Sequence, residues 1–146
     1  MNSAKLSFGV FLLFMVLIAV FSNDQTTERQ EAYDGEELQL ALIGDSPEIR
    51  NDRVEFEKIS LEELRKLEYG TFDGVLIMED QLSEAARQEN RDIYKELQIP
   101  LFFVGSQANV MPFIDMESQI SYEEYAQRVN DKQTFISGLW YPSGKE

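Results

Sequence analysis

The sequence predicts an α/β domain on a small, mostly parallel sheet with helices on its faces, preceded by one N-terminal transmembrane helix. Three observations carry that expectation. Short apolar runs bounded by Gly, Pro or Asp recur through residues 37–146. Helical segments stand between them, two of which open on a Ser-x-x-Glu signature. Residues 6–22 form an apolar stretch without a charge. Strands and helices alternating at this spacing call for parallel strands joined by right-handed crossovers.

In chain order, residues 8–21 (FGVFLLFMVLIAVF) are apolar apart from one Gly. As a helix, residues 6–22 would measure roughly 25 Å, the short end of what crosses a bilayer. Lys5 precedes the stretch, while Asp24, Glu28, Glu31 and Asp34 follow with only Arg29 among them. The positive-inside rule then gives a short cytoplasmic N-terminus (1–5), a signal-anchor (6–22) and an exported body. The alternatives are an inverted topology, or a signal peptide cleaved near Ser22 that releases a secreted domain. A buried helix is disfavoured, because one apolar on every face so near the chain start has little protein left to cover it. Residues 23–36 are polar and acidic without apolar period, which reads as a stalk.

The domain proper is expected over residues 37–146. Residues 37–43 (ELQLALI) read as a buried strand stopped by Gly44. The connection at 44–52, with Pro47, is too short for a helical crossover and suits one turn or a bend. Residues 54–59 (VEFEKI) alternate, as a strand with one wet face near a sheet edge would. Ser60 and Glu63 form a capping box and Ile59 with Leu64 a hydrophobic staple, so a helix opens there and ends at Gly70. Residues 72–78 (FDGVLIM) return to a strand buried on both faces. A helix capped by Asp80 or Ser83 is predicted to run to Leu97, with Leu82, Ala86, Ile93 and Leu97 inward and Arg87, Glu89, Arg91 and Asp92 elsewhere. Pro100 stops it, and residues 101–104 (LFFV) are the next buried strand. Pro112 marks residues 110–116 as edge strand or loop. Ser121 with Glu124, stapled by Ile120 and Tyr125, opens a helix to about Asn130. Residues 134–141 (TFISGLWY) are the last strand, with a bulge expected at Gly138. The expected strand order is flavodoxin-like, with the first helix reduced to a turn.

Composition removes much chemistry. The 146 residues hold 13 Lys and Arg against 27 Asp and Glu, for a net charge of -14. Nucleic-acid binding needs a basic footprint and is excluded as an expectation. With no Cys and no His, the chain offers no thiolate, disulfide, acylated cysteine or imidazole base, and zinc sites become remote. The absence of cysteine suits an exported, bacterial-type domain. Neither a phosphate-binding Gly loop nor a nucleophile elbow is present.

Ligands of open parallel sheets gather beyond the carboxyl ends of the strands. Those ends supply Asp45 and Ser46, Glu79 and Asp80, and Ser106. Such oxygens suit a small ligand or a hard cation such as Mg²⁺ or Ca²⁺, or carboxylate acid–base work. The plainer reading makes Asp45 and Asp80 turn or cap residues. At the other end of the chain, Leu139, Trp140 and Tyr141 combine apolar bodies with polar tips, as interface anchors do; packing of the last strand is the simpler role.

The stretch FDGVLIMED resembles the third strand and loop of phosphoacceptor receiver domains. That resemblance implies a phosphorylated Asp where Met78 stands, an acidic partner beside Asp45 and a Lys directly following the last strand at Trp140-Tyr141. All three are missing, so it implies architecture and no phosphorelay role. The sequence therefore leads to a membrane-anchored, extracytoplasmic, non-catalytic interaction or regulatory module with a protein partner and no cofactor. The alternative is a small carboxylate-based enzyme or ligand-binding domain with Mg²⁺ or Ca²⁺ at the strand ends.

Overall fold

The structure is a computed structural model that describes residues 33–49, 51–68, 70–129 and 133–142. The anchor at 6–22 and most of the stalk lie outside the described residues.

Five strands form one sheet: β1 Leu38–Ile43, β2 Val54–Lys58, β3 Gly74–Ile77, β4 Leu101–Ser106 and β5 Phe135–Leu139. Their order is β2-β1-β3-β4-β5. β1 pairs in parallel with both β2 and β3, and β3 with β4. β5 runs antiparallel to β4, so the flavodoxin-like expectation fails for this strand's direction. The reason is where it begins: Phe135 lies opposite Ser106, at the carboxyl end of β4. The bulge is also displaced. It falls on β4 between Phe103 and Ser106, while Gly138 pairs regularly with Phe102.

Burial follows strand position. β3 is buried at all four residues because strands flank it on both sides. β2 stands at the edge, buried at Val54 and exposed at Glu55, Glu57 and Lys58. The connection between β1 and β2 has no helix among its described residues, so it is a bend.

The helices are shorter than their sequence signals. α1 spans Leu61–Leu64, one turn held by a complete capping box: Ser60 N–H donates to Glu63 Oε2 at 2.7 Å, and Glu63 N–H to Ser60 Oγ at 3.2 Å. The single helix expected to run to Leu97 breaks into a 3-10 turn (Glu79–Gln81), α2 (Leu82–Ala85) and α3 (Gln88–Glu96). Buried polar side chains hold the break. Asn90 Nδ2 donates to Glu84 O at 2.7 Å, and Arg91 Nε to Ala86 O at 2.8 Å. Arg91, expected away from the buried face, is only 3% exposed. Its guanidinium also donates to the carbonyls of Asp115 and Ser118, tying the 115–118 loop to α3.

Residues Met111–Ile114 form helix α4, which corrects the expectation of an edge strand or loop. Pro112 sits in its first turn, where the missing N–H has no intrahelical partner to lose. α5 (Tyr122–Arg128) opens on half of its expected box. Ser121 Oγ accepts from Glu124 N–H at 3.2 Å, and the Glu124 carboxylate pairs with Arg128 at 2.8 Å.

The core has two parts, one on each face of the sheet. The first gathers Ile43, Val75, Ile77 and Phe103 with residues from α1 to α5, among them Leu64, Leu82, Tyr94, Phe113 and Tyr122. A run of aromatic rings crosses it. Tyr94 meets Phe103 edge to face at 5.5 Å, and Phe103 stacks on Phe113 at 3.7 Å. The Tyr94 hydroxyl donates to Ala85 O at 2.7 Å, and burial pushes its pKa far up. The second part holds Leu38, Leu40, Leu42, Val54, Leu76, Phe102 and Val104 with Met78 and Tyr33. Tyr33, within the segment read as stalk, is 5% exposed, and its carbonyl accepts from Asn51 Nδ2 at 3.2 Å.

Candidate functional site

The carboxyl ends of β1, β3 and β4 build a rim around a cleft of about 400 Å³, lined by Asp45, Met78, Glu79, Asp80, Val104, Gly105 and Thr134. Two glycines shape it. Gly44 (φ 107°) turns the chain after β1, and a Cβ there would strike the Asp80 carboxylate. Gly105 (φ 75°) lies beneath the side chain of Glu79, where a Cβ would come within 2.9 Å of Glu79 Cβ.

The expected site residues divide by what their side chains already do. Asp80 is committed to structure. Its Oδ1 accepts Asp45 N–H at 3.0 Å and its Oδ2 accepts from Gln81 Nε2 at 2.8 Å, which joins the loops after β1 and β3. Partial burial raises the Asp80 pKa, but these hydrogen bonds, its own N–H and nearby Lys58 outweigh that and hold it below the usual carboxylate range. Ser106 is fully buried and lies outside the cleft lining. Its hydroxyl donates to Ala108 O at 2.6 Å and accepts Ala108 N–H at 3.2 Å, closing its own turn. Asp45 and Ser46 are exposed. Glu79 is exposed on the cleft and makes no hydrogen bond or ion pair among the described residues.

Strand order reverses between β1 and β3, where the ligand crevice of a doubly wound sheet opens. The Asp45–Asp80 hydrogen bond bridges that crevice, so the open cleft is displaced toward β3 and β4. Among the described residues, no three acidic side chains gather closely enough to hold a metal ion. With Asp80 committed to Asp45 N–H and Gln81, Glu79 and the exposed Asp45 are left as the anionic groups beside a largely apolar floor of Met78 and Val104. Met78 is 8% exposed and belongs to the second part of the core.

The aromatic C-terminus sits at the opposite end of the sheet, because Leu139 pairs with Leu101 at the start of β4. Leu139 packs on the first part of the core. Trp140 is 46% exposed, with Nε1 donating to Gln98 O at 3.4 Å. Tyr141 is half-buried beside it. The two groups of candidates therefore do not meet.

A larger groove of about 610 Å³ runs between α2–α3 and the start of α5, past Arg87, Arg91, Ser118 and Glu123. Glu123 accepts from the Ser83 hydroxyl across it, which with its own N–H and Ser121 lowers its pKa against the cost of burial. The sequence pattern puts Arg91 off the buried face and leaves Asn90 unmarked, yet both are buried. For Asn90 a signal existed: it falls in step with Ala86 and Ile93, a polar residue in an apolar stripe. Comparison with protein-family models, curated proteins and solved structures finds no match for this chain.

Proposed function

We propose that this chain is a non-catalytic interaction or regulatory module, held by residues 6–22 on the extracytoplasmic side of a membrane. The observation that carries this reading is the half-exposed Trp140 at the end of edge strand β5. A large indole left in water beside an open strand edge is the usual form of an interface anchor. The rim adds support, since Asp80 and Ser106 spend their polar atoms closing loops. Photo-crosslinking of the full chain in cells tests it, with the probe at Trp140 and, as control, at exposed Arg87. A discrete partner band from position 140 alone is expected. Equal capture at both positions, or none at either, contradicts the reading. Replacing Trp140 by Ala should remove the partner while leaving the melting temperature within about 2 °C.

The unpaired Glu79 over a 400 Å³ cleft favours a second reading, a small-ligand or cation site there. Millimolar Mg²⁺ or Ca²⁺ would then raise the melting temperature of the native chain and not of Glu79→Gln.

A further inference from the structure

Parallel sheets are covered on both faces, and among the described residues this one shows a helical layer on only one. Topology explains the asymmetry. The crossovers from β2 to β3 and from β3 to β4 move in the same direction across the sheet, so right-handedness puts their helices on one face. The step from β1 to β2 moves the other way and would cover the second face, but its described residues contain no helix. None of the described helices contributes a side chain to the second part of the core. Yet Leu40, Leu42, Leu76 and Val104 are at most 1% exposed. Among the described residues outside the strands, only Tyr33, Ile49 and Met78 pack there, too few for a face roughly 19 Å wide.

We propose that this helix-free face is a seat for residues 8–21 of the same chain, used when no bilayer is in reach. The path supports it: Tyr33, where the described chain begins, already lies on this face. Residues 23–32 can extend roughly 33 Å, enough to carry the segment anywhere on the face. As a helix, residues 8–21 measure about 21 Å, which matches the width of the sheet. The segment is apolar all round, so the seat covers one side of it and leaves the other in water, whereas a bilayer covers every side. Insertion therefore wins where lipid is present and bares the sheet face. That second half rests on the anchor reading above; the seat itself does not.

The absence of native cysteine makes disulfide trapping clean. Leu12→Cys, Leu13→Cys, Phe14→Cys and Met15→Cys together make one turn of a helix, so one of them faces the sheet. Each is paired in the full chain with Leu76→Cys and separately with the half-buried Ile136→Cys, so that a folding defect at one position does not decide the result. Arg87→Cys on the helical side is the control. The chain is made by cell-free synthesis without lipid or with phosphatidylcholine–phosphatidylglycerol vesicles, then mildly oxidised. An intramolecular disulfide is expected without vesicles and not to Arg87→Cys, with about a fivefold loss when vesicles are present and the chain floats with them. No disulfide at either sheet position, disulfides only between two chains, or equal trapping by the control overturns the seat. Trapping unchanged by vesicles, with a chain that does not float, upholds the seat and overturns the anchor.

Discussion

The two faces of the sheet solve the same burial problem by different means. On one face, short helices bring apolar residues down onto Ile43, Val75, Ile77 and Phe103, and they bring polar groups with them. Each helix end there leaves carbonyls that must be paired, and Asn90, Arg91 and Tyr94 are buried to do so. On the other face the strands supply most of the surface as Leu, Val and Phe, joined by Tyr33, Ile49 and Met78, with no buried ion and no helix end among the described residues. The first face is specified by particular hydrogen bonds and stacked rings. Apart from the Tyr33 hydroxyl, the second asks for an apolar cover, which suits the exchange of occupants proposed above.

The largest expected effect breaks the first face. Replacing Phe103 by Ala removes both ring contacts at its centre and should cost about 3–5 kcal/mol, read from chemical denaturation. Next comes Arg91→Met, which keeps the apolar stem but leaves the carbonyls of Ala86, Asp115 and Ser118 without their donor. A loss of about 3 kcal/mol is expected, together with faster amide exchange over residues 115–118. A loss under about 1 kcal/mol would show that water replaces the guanidinium.

A smaller effect concerns the rim that joins the faces. The Asp80 carboxyl is held below its ordinary pKa in the folded chain, so its contribution is present above the unfolded pKa and is lost as pH falls through the folded one. Glu63 behaves alike, through the backbone N–H and hydroxyl of Ser60. Stability should therefore decline on acidification below about pH 4, and Asp80→Asn should flatten that decline. An unchanged acid profile in the variant would remove Asp80 from the account.

Much of this was legible in the residues because the signals were local. The Ser60–Glu63 box, the alternation of β2 and the apolar run of β3 each report their own surroundings, and each stands where expected. What escaped depended on distant partners. The helix break at residues 86–87 exists because Asn90 and Arg91 find carbonyls that only the folded chain supplies. The direction of β5 depends on where residues 107–134 deliver it, which no local pattern records. At the rim, Asp45 and Asp80 were candidates by position, and the alternative as turn-closing groups was visible beside them; only geometry assigns Asp80 to Asp45 N–H. The lack of a helix between β1 and β2 was readable from loop length. Its consequence, a sheet face without a helix among the described residues, needed the strand order.

One measurement goes most directly to the difference between the faces. Leu42→Ala on the helix-free face and Phe103→Ala on the helical face are each compared with their parent, in the full chain and in a chain lacking residues 1–22. With residues 8–21 seated on the sheet in lipid-free solution, Phe103→Ala costs the same in both backgrounds. Leu42→Ala costs about 2–4 kcal/mol in the full chain and clearly less in the shortened one, where its surroundings are already open to water. Equal costs for Leu42→Ala in both chains would contradict the account, because the cover of that face would then come from somewhere other than the N-terminal segment.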